Sequence, residues 1–316
     1  MKAMGNRSSI RWMPLFLTLA GLGQVAAEPF EPGNVLISTE NSVHEYTPNG
    51  TWVRTLPIPY PTGTRPVTES ARDALVDANG NLQIYNGTFD PYLSRYDVAA
   101  QSWTHWTFTG WSTANNVSYG GIASHGHSIF VTDMSTYGQG DIPKGLVRFD
   151  LLTGGAQRFA DTIDFIDVTL GLDGLLYGLA GDERSVYVYD PSTLTQVRAL
   201  SLPFGSYIRG IAVSTAGEIY GASWNDTIHR FSATGVQLGV IPSGAYDLVD
   251  IDISPLYEQV VVGSRFGTIV FTNLALTYPW SINVGGSTAF ATFVPPDNQG
   301  HDDNNLLVSS GNTLTE

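Results

Sequence analysis

The sequence predicts an all-β fold: a β-propeller, in which four-stranded antiparallel blades close into a ring. Three observations lead there. Of the 316 residues only 14% are charged while 34 are glycine, a balance that suits short strands joined by turns better than helices. An aromatic followed by Thr, Asp or Ser returns at Tyr46-Thr47, Tyr96-Asp97, Phe149-Asp150, Tyr189-Asp190, Phe231-Ser232 and Phe271-Thr272, at spacings of 50, 53, 40, 42 and 40 positions. A turn also recurs as Asn79-Gly80, Asp173-Gly174 and Ala216-Gly217. Self-similarity on a period of about forty residues marks a blade.

The clearest unit runs from Arg209 to Ile241. It divides into strands at 210–214, 218–223, 227–231 and 236–241, with turns at Ala216-Gly217, Asn225-Asp226 and Ala233-Thr234-Gly235. Short strands separated by turn residues make an antiparallel meander. One meander cannot cover its own two apolar faces, and stacking neighbours in a ring covers them. Five complete blades follow, at about 69–110, 119–161, 165–204, 207–244 and 247–286. The chain's start offers three strands, near 35–39, 43–47 and 51–56, and 288–294 supplies the missing innermost strand. Six blades are therefore expected, one of them shared by N- and C-terminal strands. The propeller is assigned to 28–297.

Residues 298–316 form a tail or a partial extra repeat. Asn305-Leu-Leu-Val-Ser-Ser-Gly-Asn-Thr-Leu-Thr-Glu316 matches Asn34-Val-Leu-Ile-Ser-Thr-Glu-Asn-Ser-Val-His-Glu45 position for position. A seven-bladed ring is thus the alternative count.

Ser185-Val-Tyr-Val-Tyr-Asp-Pro-Ser-Thr-Leu-Thr-Gln-Val-Arg-Ala-Leu200 and Gly210-Ile-Ala-Val-Ser-Thr-Ala-Gly-Glu-Ile-Tyr220 resemble repeats of the YVTN/NHL-type (quinoprotein-like) propeller superfamily. The resemblance spans most of 34–294. It implies the fold and leaves the activity open, because members include binding modules, scaffolds, lyases, lactonases and dehydrogenases. Gluconolactonase-type propellers are similar in outline, but their Glu-Gly-Pro opening is replaced here by Glu69-Ser-Ala-Arg-Asp73.

Residues 1–27 read as a cleaved signal peptide. Lys2, Arg7 and Arg11 precede the apolar run from Met13 to Leu22, and Val25-Ala26-Ala27 supplies small residues for cleavage. The expected location is secreted or periplasmic, with no transmembrane segment after cleavage. A net charge of −14 without a Lys/Arg cluster opposes nucleic-acid binding, which needs the opposite sign. With no cysteine, disulfides, thiolate zinc and haem thioether attachment are excluded.

Counting back seven positions from the turn glycine, or its equivalent, gives Asp73, Asp167, Gly210 and Asp250. Three carboxylates thus recur at one repeat position near the channel mouth, with Arg209 beside the fourth and Asp164 and Asp252 nearby. Carboxylates so placed suit a divalent metal such as calcium through oxygen ligands, or a polar ligand. They equally suit acceptance of backbone hydrogen bonds. The loops at 57–68, 86–92, 109–119 and 132–145 are long and share this face, with Tyr60, Trp111 and Tyr119 among their aromatics. Trp103, Trp106 and Phe108 fall on an outer strand, where core packing is expected. His125-Gly-His127 lies at the opposite end of the blade without an evident third ligand.

The sequence thus reads as an extracytoplasmic binding module for a protein or glycan, acting through its loop-rich face. The alternative is a metal-dependent lactonase or lyase with Asp73, Asp167 and Asp250 at the channel mouth and Arg209 as a ligand contact.

Overall fold

The structure, a computed structural model, describes residues 28–39, 42–59, 71–86, 92–107, 120–133, 144–285 and 288–296, with the backbone of 308–310 and 313–315. The signal-peptide region and the loop segments 60–70, 87–91, 108–119 and 134–143 lie outside the described residues, including Tyr60, Phe108, Trp111 and Tyr119.

Among the described residues every regular element is a strand. The chain opens with β1 (Val35–Ser38), β2 (Ser42–Tyr46) and β3 (Trp52–Pro57). Blade two holds β4 (Ala71–Val76), β5 (Leu82–Asn86), β6 (Tyr92–Asp97) and β7 (Ser102–Trp106). Blade three holds β8 (Ile122–His125), β9 (Ser128–Thr132), β10 (Leu146–Asp150) and β11 (Ala156–Phe159). Blade four holds β12 (Phe165–Leu170), β13 (Leu176–Ala180), β14 (Ser185–Tyr189) and β15 (Gln196–Ser201). Blade five holds β16 (Ile208–Val213), β17 (Ile219–Ser223), β18 (Thr227–Phe231) and β19 (Gln237–Pro242). Blade six holds β20 (Leu248–Ile253), β21 (Gln259–Ser264), β22 (Thr268–Asn273) and β23 (Trp280–Asn283). Then β24 (Phe290–Phe293) returns to the start and pairs with β1, Val35 opposite Phe293 and Ser38 opposite Phe290. Blade one therefore has the order β24-β1-β2-β3, and the ring has six blades, closed by both chain ends. The tail forms a separate two-stranded ribbon, β25 (Val308–Ser310) with β26 (Thr313–Thr315).

Burial follows the radial order of the strands. The innermost strands β4, β12, β16 and β20 are almost wholly buried, while the outermost β3, β15 and β19 are largely exposed. The second strands carry near-continuous apolar runs such as Gln259-Val-Val-Val, because both their faces meet a neighbouring blade. The turns into them need left-handed backbone, which Gly80, Gly174 and Gly217 adopt at φ +74°, +81° and +73°. Trp103 lies 5.1 Å from Tyr96, ring to ring, and Trp106 packs against the group of Tyr85, Leu93 and Ile122. These outer-strand tryptophans pack between blades rather than forming a platform.

Candidate functional site

The inner strands bring Asp73, Asp167 and Asp250 to equivalent places around the channel, as their repeat spacing predicts. Each carboxylate joins two blades. Asp73 Oδ1 accepts the Ala74 amide of its own strand (2.7 Å) and Oδ2 accepts the Ile122 amide of blade three (2.9 Å). Asp167 takes Val168 (2.8 Å) and, across to blade five, Ile211 (2.7 Å). Asp250 takes Ile251 (2.8 Å) and, across to β24, Ala291 (2.7 Å). Asp252 repeats the pattern one step along β20, holding Ile253, Phe293 and the Thr292 hydroxyl. The inner strands of different blades share no ladder, and these carboxylates supply hydrogen bonds from blade two to three, four to five and six to one.

In blades three and five glycine stands at the place that the aspartates hold in blades two, four and six. A Cβ on Gly121 would overlap Asp167 Oδ1 and the Val168 amide, and one on Gly210 would lie 2.7 Å from Asp250 Cα. Phe290 stands at the equivalent place in blade one.

The four aspartates line a cavity of about 190 Å³ that continues past Val76, Leu170 and Ile253. Burial pushes Asp73 and Asp250 well above the ordinary carboxylate range, and the neighbouring carboxyls add to it. Burial raises Asp167 to about 7 against the pull of its two amide donors. Asp252 is raised by burial as well. Among the described residues no group of three or more His, Asp or Glu converges to hold a metal ion.

Arg209 does not line this cavity. The ladder between first and second strands slips at the same place in four blades: between Ala71 and Asp73, Phe165 and Asp167, Ile208 and Gly210, and Leu248 and Asp250. Arg209 is the bulged residue in β16, and a bulge re-aims its side chain. Its guanidinium donates to Asp247 (2.7 Å), lies 3.5 Å from Glu183 and sits 5.8 Å from the Trp224 ring centre. Asp247 also accepts from Arg265 (3.3 Å). The charges Glu183, Arg209, Asp247 and Arg265 thus chain together loops of blades four, five and six.

Exposed aromatics border this chain. Phe204, Tyr207, Trp224, Tyr246 and Phe266 are exposed, Phe204 to 87% and Tyr246 to 72%. Tyr207 and Trp224 touch at 5.1 Å between ring centres. All five lie on connections from fourth to first strand or from second to third, hence on one face of the ring. Sequence reading looked for this face's function in the long loops of blades one to three and missed the short loops opposite. The signal was there: bulky aromatics inside turn sequences such as Pro203-Phe-Gly-Ser-Tyr207 and Ser264-Arg-Phe-Gly267. Asp164 lies apart from the channel and pairs with Lys144 at 3.1 Å. His125 and His127 fall at the β8–β9 turn, at the opposite end of the blade.

No family model and no curated protein matches the chain. Solved structures do. A streptogramin B lyase is 15% identical, with a TM-score of 0.55 over 84% of this chain and 86% of that one. Virginiamycin B lyase from Staphylococcus aureus is 13% identical, with a TM-score of 0.56 over 83% and 86%. Apo AztD from Citrobacter koseri is 10% identical, with a TM-score of 0.49 over 82% and 98%. At these identities the likeness to the two lyases is one of fold: the chain is a β-propeller.

Proposed function

We propose that the protein is an extracytoplasmic binding module of YVTN/NHL type, whose loop face takes a protein or glycan partner. The supporting observation is the set of exposed aromatics Phe204, Tyr207, Trp224, Tyr246 and Phe266 on the face where Arg209 is ion-paired. Five large aromatics exposed on the loops of one face, two of them in contact, call for a reason. Rigid rings beside fixed charges are what recognition surfaces present. The Asp247–Arg209–Glu183 contacts hold that surface without the partner, which lowers the cost of ordering on binding. Export through the N-terminal segment would place this face outside the cytoplasm.

A peptide-display library and a panel of soluble polysaccharides test the reading and separate its two partner classes. A selected binder should lose at least about tenfold in affinity, ~1.4 kcal/mol, on Trp224→Ala or Tyr246→Ala. It should keep its affinity on Trp52→Ala, which removes an exposed tryptophan from an outer strand. Binding that survives both loop-face changes refutes the reading.

A metal-dependent lactonase or lyase at the channel is the second reading. The four carboxyls around one cavity favour it, and calcium would suit oxygen ligands. An ion there would use the lone pairs of those oxygens that the amides joining the blades leave open. A stoichiometric ion in the purified protein, with a melting point that rises in calcium, would favour this reading over the first.

A further inference from the structure

We propose that residues 305–316 are a second copy of the hairpin that closes blade one, able to take its place between β24 and β3. The twelve-residue match of 305–316 to 34–45 keeps the residues that the structure shows to matter. Leu36 packs toward blade two, while Val35 and Ile37 pack toward blade six, all fully buried. Their counterparts are Leu307, Leu306 and Val308. Val43, also buried, corresponds to Leu314.

The polar match is more telling. Glu45 is 2% exposed, accepts from the Asn34 amide side chain at 2.7 Å and takes Arg54 Nε of β3 at 2.6 Å. Asn and Glu stand at the same two places in the copy, Asn305 and Glu316. Chance similarity between apolar strands has no reason to reproduce a buried Asn–Glu pair eleven positions apart.

The pairing register agrees independently. In the tail Val308 faces Thr315 and Ser309 faces Leu314. In blade one their counterparts pair the same way, Ile37 with His44 and Ser38 with Val43. Chain order agrees too. In each complete blade the second and third strands follow the first, and the tail follows β24. A lone two-stranded ribbon is marginal in water, so the tail gains by docking.

The N-terminal hairpin remains the resident form because it brings more. Phe30 is buried beneath the Arg54 guanidinium, at 4.7 Å, and the Gly33 amide donates to the Val294 carbonyl at 2.9 Å. The tail has His301 where Phe30 would stand. Exchange would detach residues 28–46 from the ring while the loop face of blades four to six stays intact. The N-terminus can then be held elsewhere without opening the propeller.

The full chain, which has no cysteine of its own, allows a direct test. Leu36→Asp should weaken the resident hairpin and let the tail replace it. In that background Ala291→Cys and Val308→Cys should form a cystine within one chain, as Ala291→Cys and Ile37→Cys should in the unaltered chain. Leu307→Asp alone should be silent. Leu36→Asp with Leu307→Asp should melt roughly 10 °C below Leu36→Asp alone. Three results overturn the proposal: Leu36→Asp failing to fold, the double variant melting with the single one, or a 291–308 cystine that is absent or forms only between chains.

Discussion

Asp167 shows what the carboxylates at the channel do to the protein. Its carboxyl joins blades four and five through two amides, yet burial raises its pKa to about 7. The folded state therefore binds a proton that the unfolded chain has released above about pH 4. The stability this contributes is complete below pH 4 and is lost as pH rises through 7. Asp73, Asp250 and Asp252 shift in the same direction. The melting point should thus rise as pH falls from 8 to 5, by an amount that corresponds to a few kcal/mol. Asp167→Asn separates this from the general acidity of the chain. An amide side chain can accept only one of the two backbone donors, which costs about 1–3 kcal/mol. It also never ionises. The variant should therefore be clearly less stable than the parent at pH 5 and closer to it at pH 8, and parallel pH profiles would rule the account out. The three aspartates were legible in the sequence because a repeat position is a place in space. Arg209 was legible as a neighbour but not as to its direction, because a bulge leaves no mark in the spacing.

At the scale of elements, alternate inner strands carry the carboxylate, and close approach requires glycine between them at Gly121 and Gly210. Gly121 and Gly80 separate that packing from simple backbone freedom. Gly80 needs left-handed backbone, but a Cβ there meets nothing within 4 Å, so Gly80→Ala should cost about 1 kcal/mol. Gly121 has no such φ, and its Cβ would meet backbone of the next blade. Gly121→Ala should cost about 3 kcal/mol or more, read by denaturant titration. Equal costs at the two sites would show that strand approach is not what requires glycine at Gly121. Sequence counting did not reach Gly121. In blade three β8 ends at His125 and β9 begins at Ser128, whereas β4 and β5 are separated by the longer turn from Val76 to Leu82. The shorter turn breaks a count made backward from the turn glycine. The loop-face aromatics were missed for another reason: exposure is decided by the strands that carry a turn, and a turn's own sequence does not report it.

At the scale of the whole molecule, no blade owns a core. The buried groups divide by interface: blades one and two share one, and so on round to blades six and one. The ring was legible for this reason, since strands apolar on both sides demand neighbours on both sides. Its closure was legible because the chain's start lacked one strand and its end supplied it. The same sharing predicts how the molecule comes apart. Phe165 is fully buried at the interface of blades three and four, with its ring against Gly178 and edge-on to Tyr187 at 5.9 Å. Phe165→Ala should cost about 3–5 kcal/mol. Opening one interface exposes a face of each adjoining blade, and neither can repack alone. The loss should therefore lower the midpoint of a single calorimetric transition by roughly 10 °C, with calorimetric and van't Hoff enthalpies still equal. A separate low-temperature transition in the variant would mean that blades three and four can leave the ring while the rest persists, and that neighbouring interfaces are not coupled as their shared cores imply.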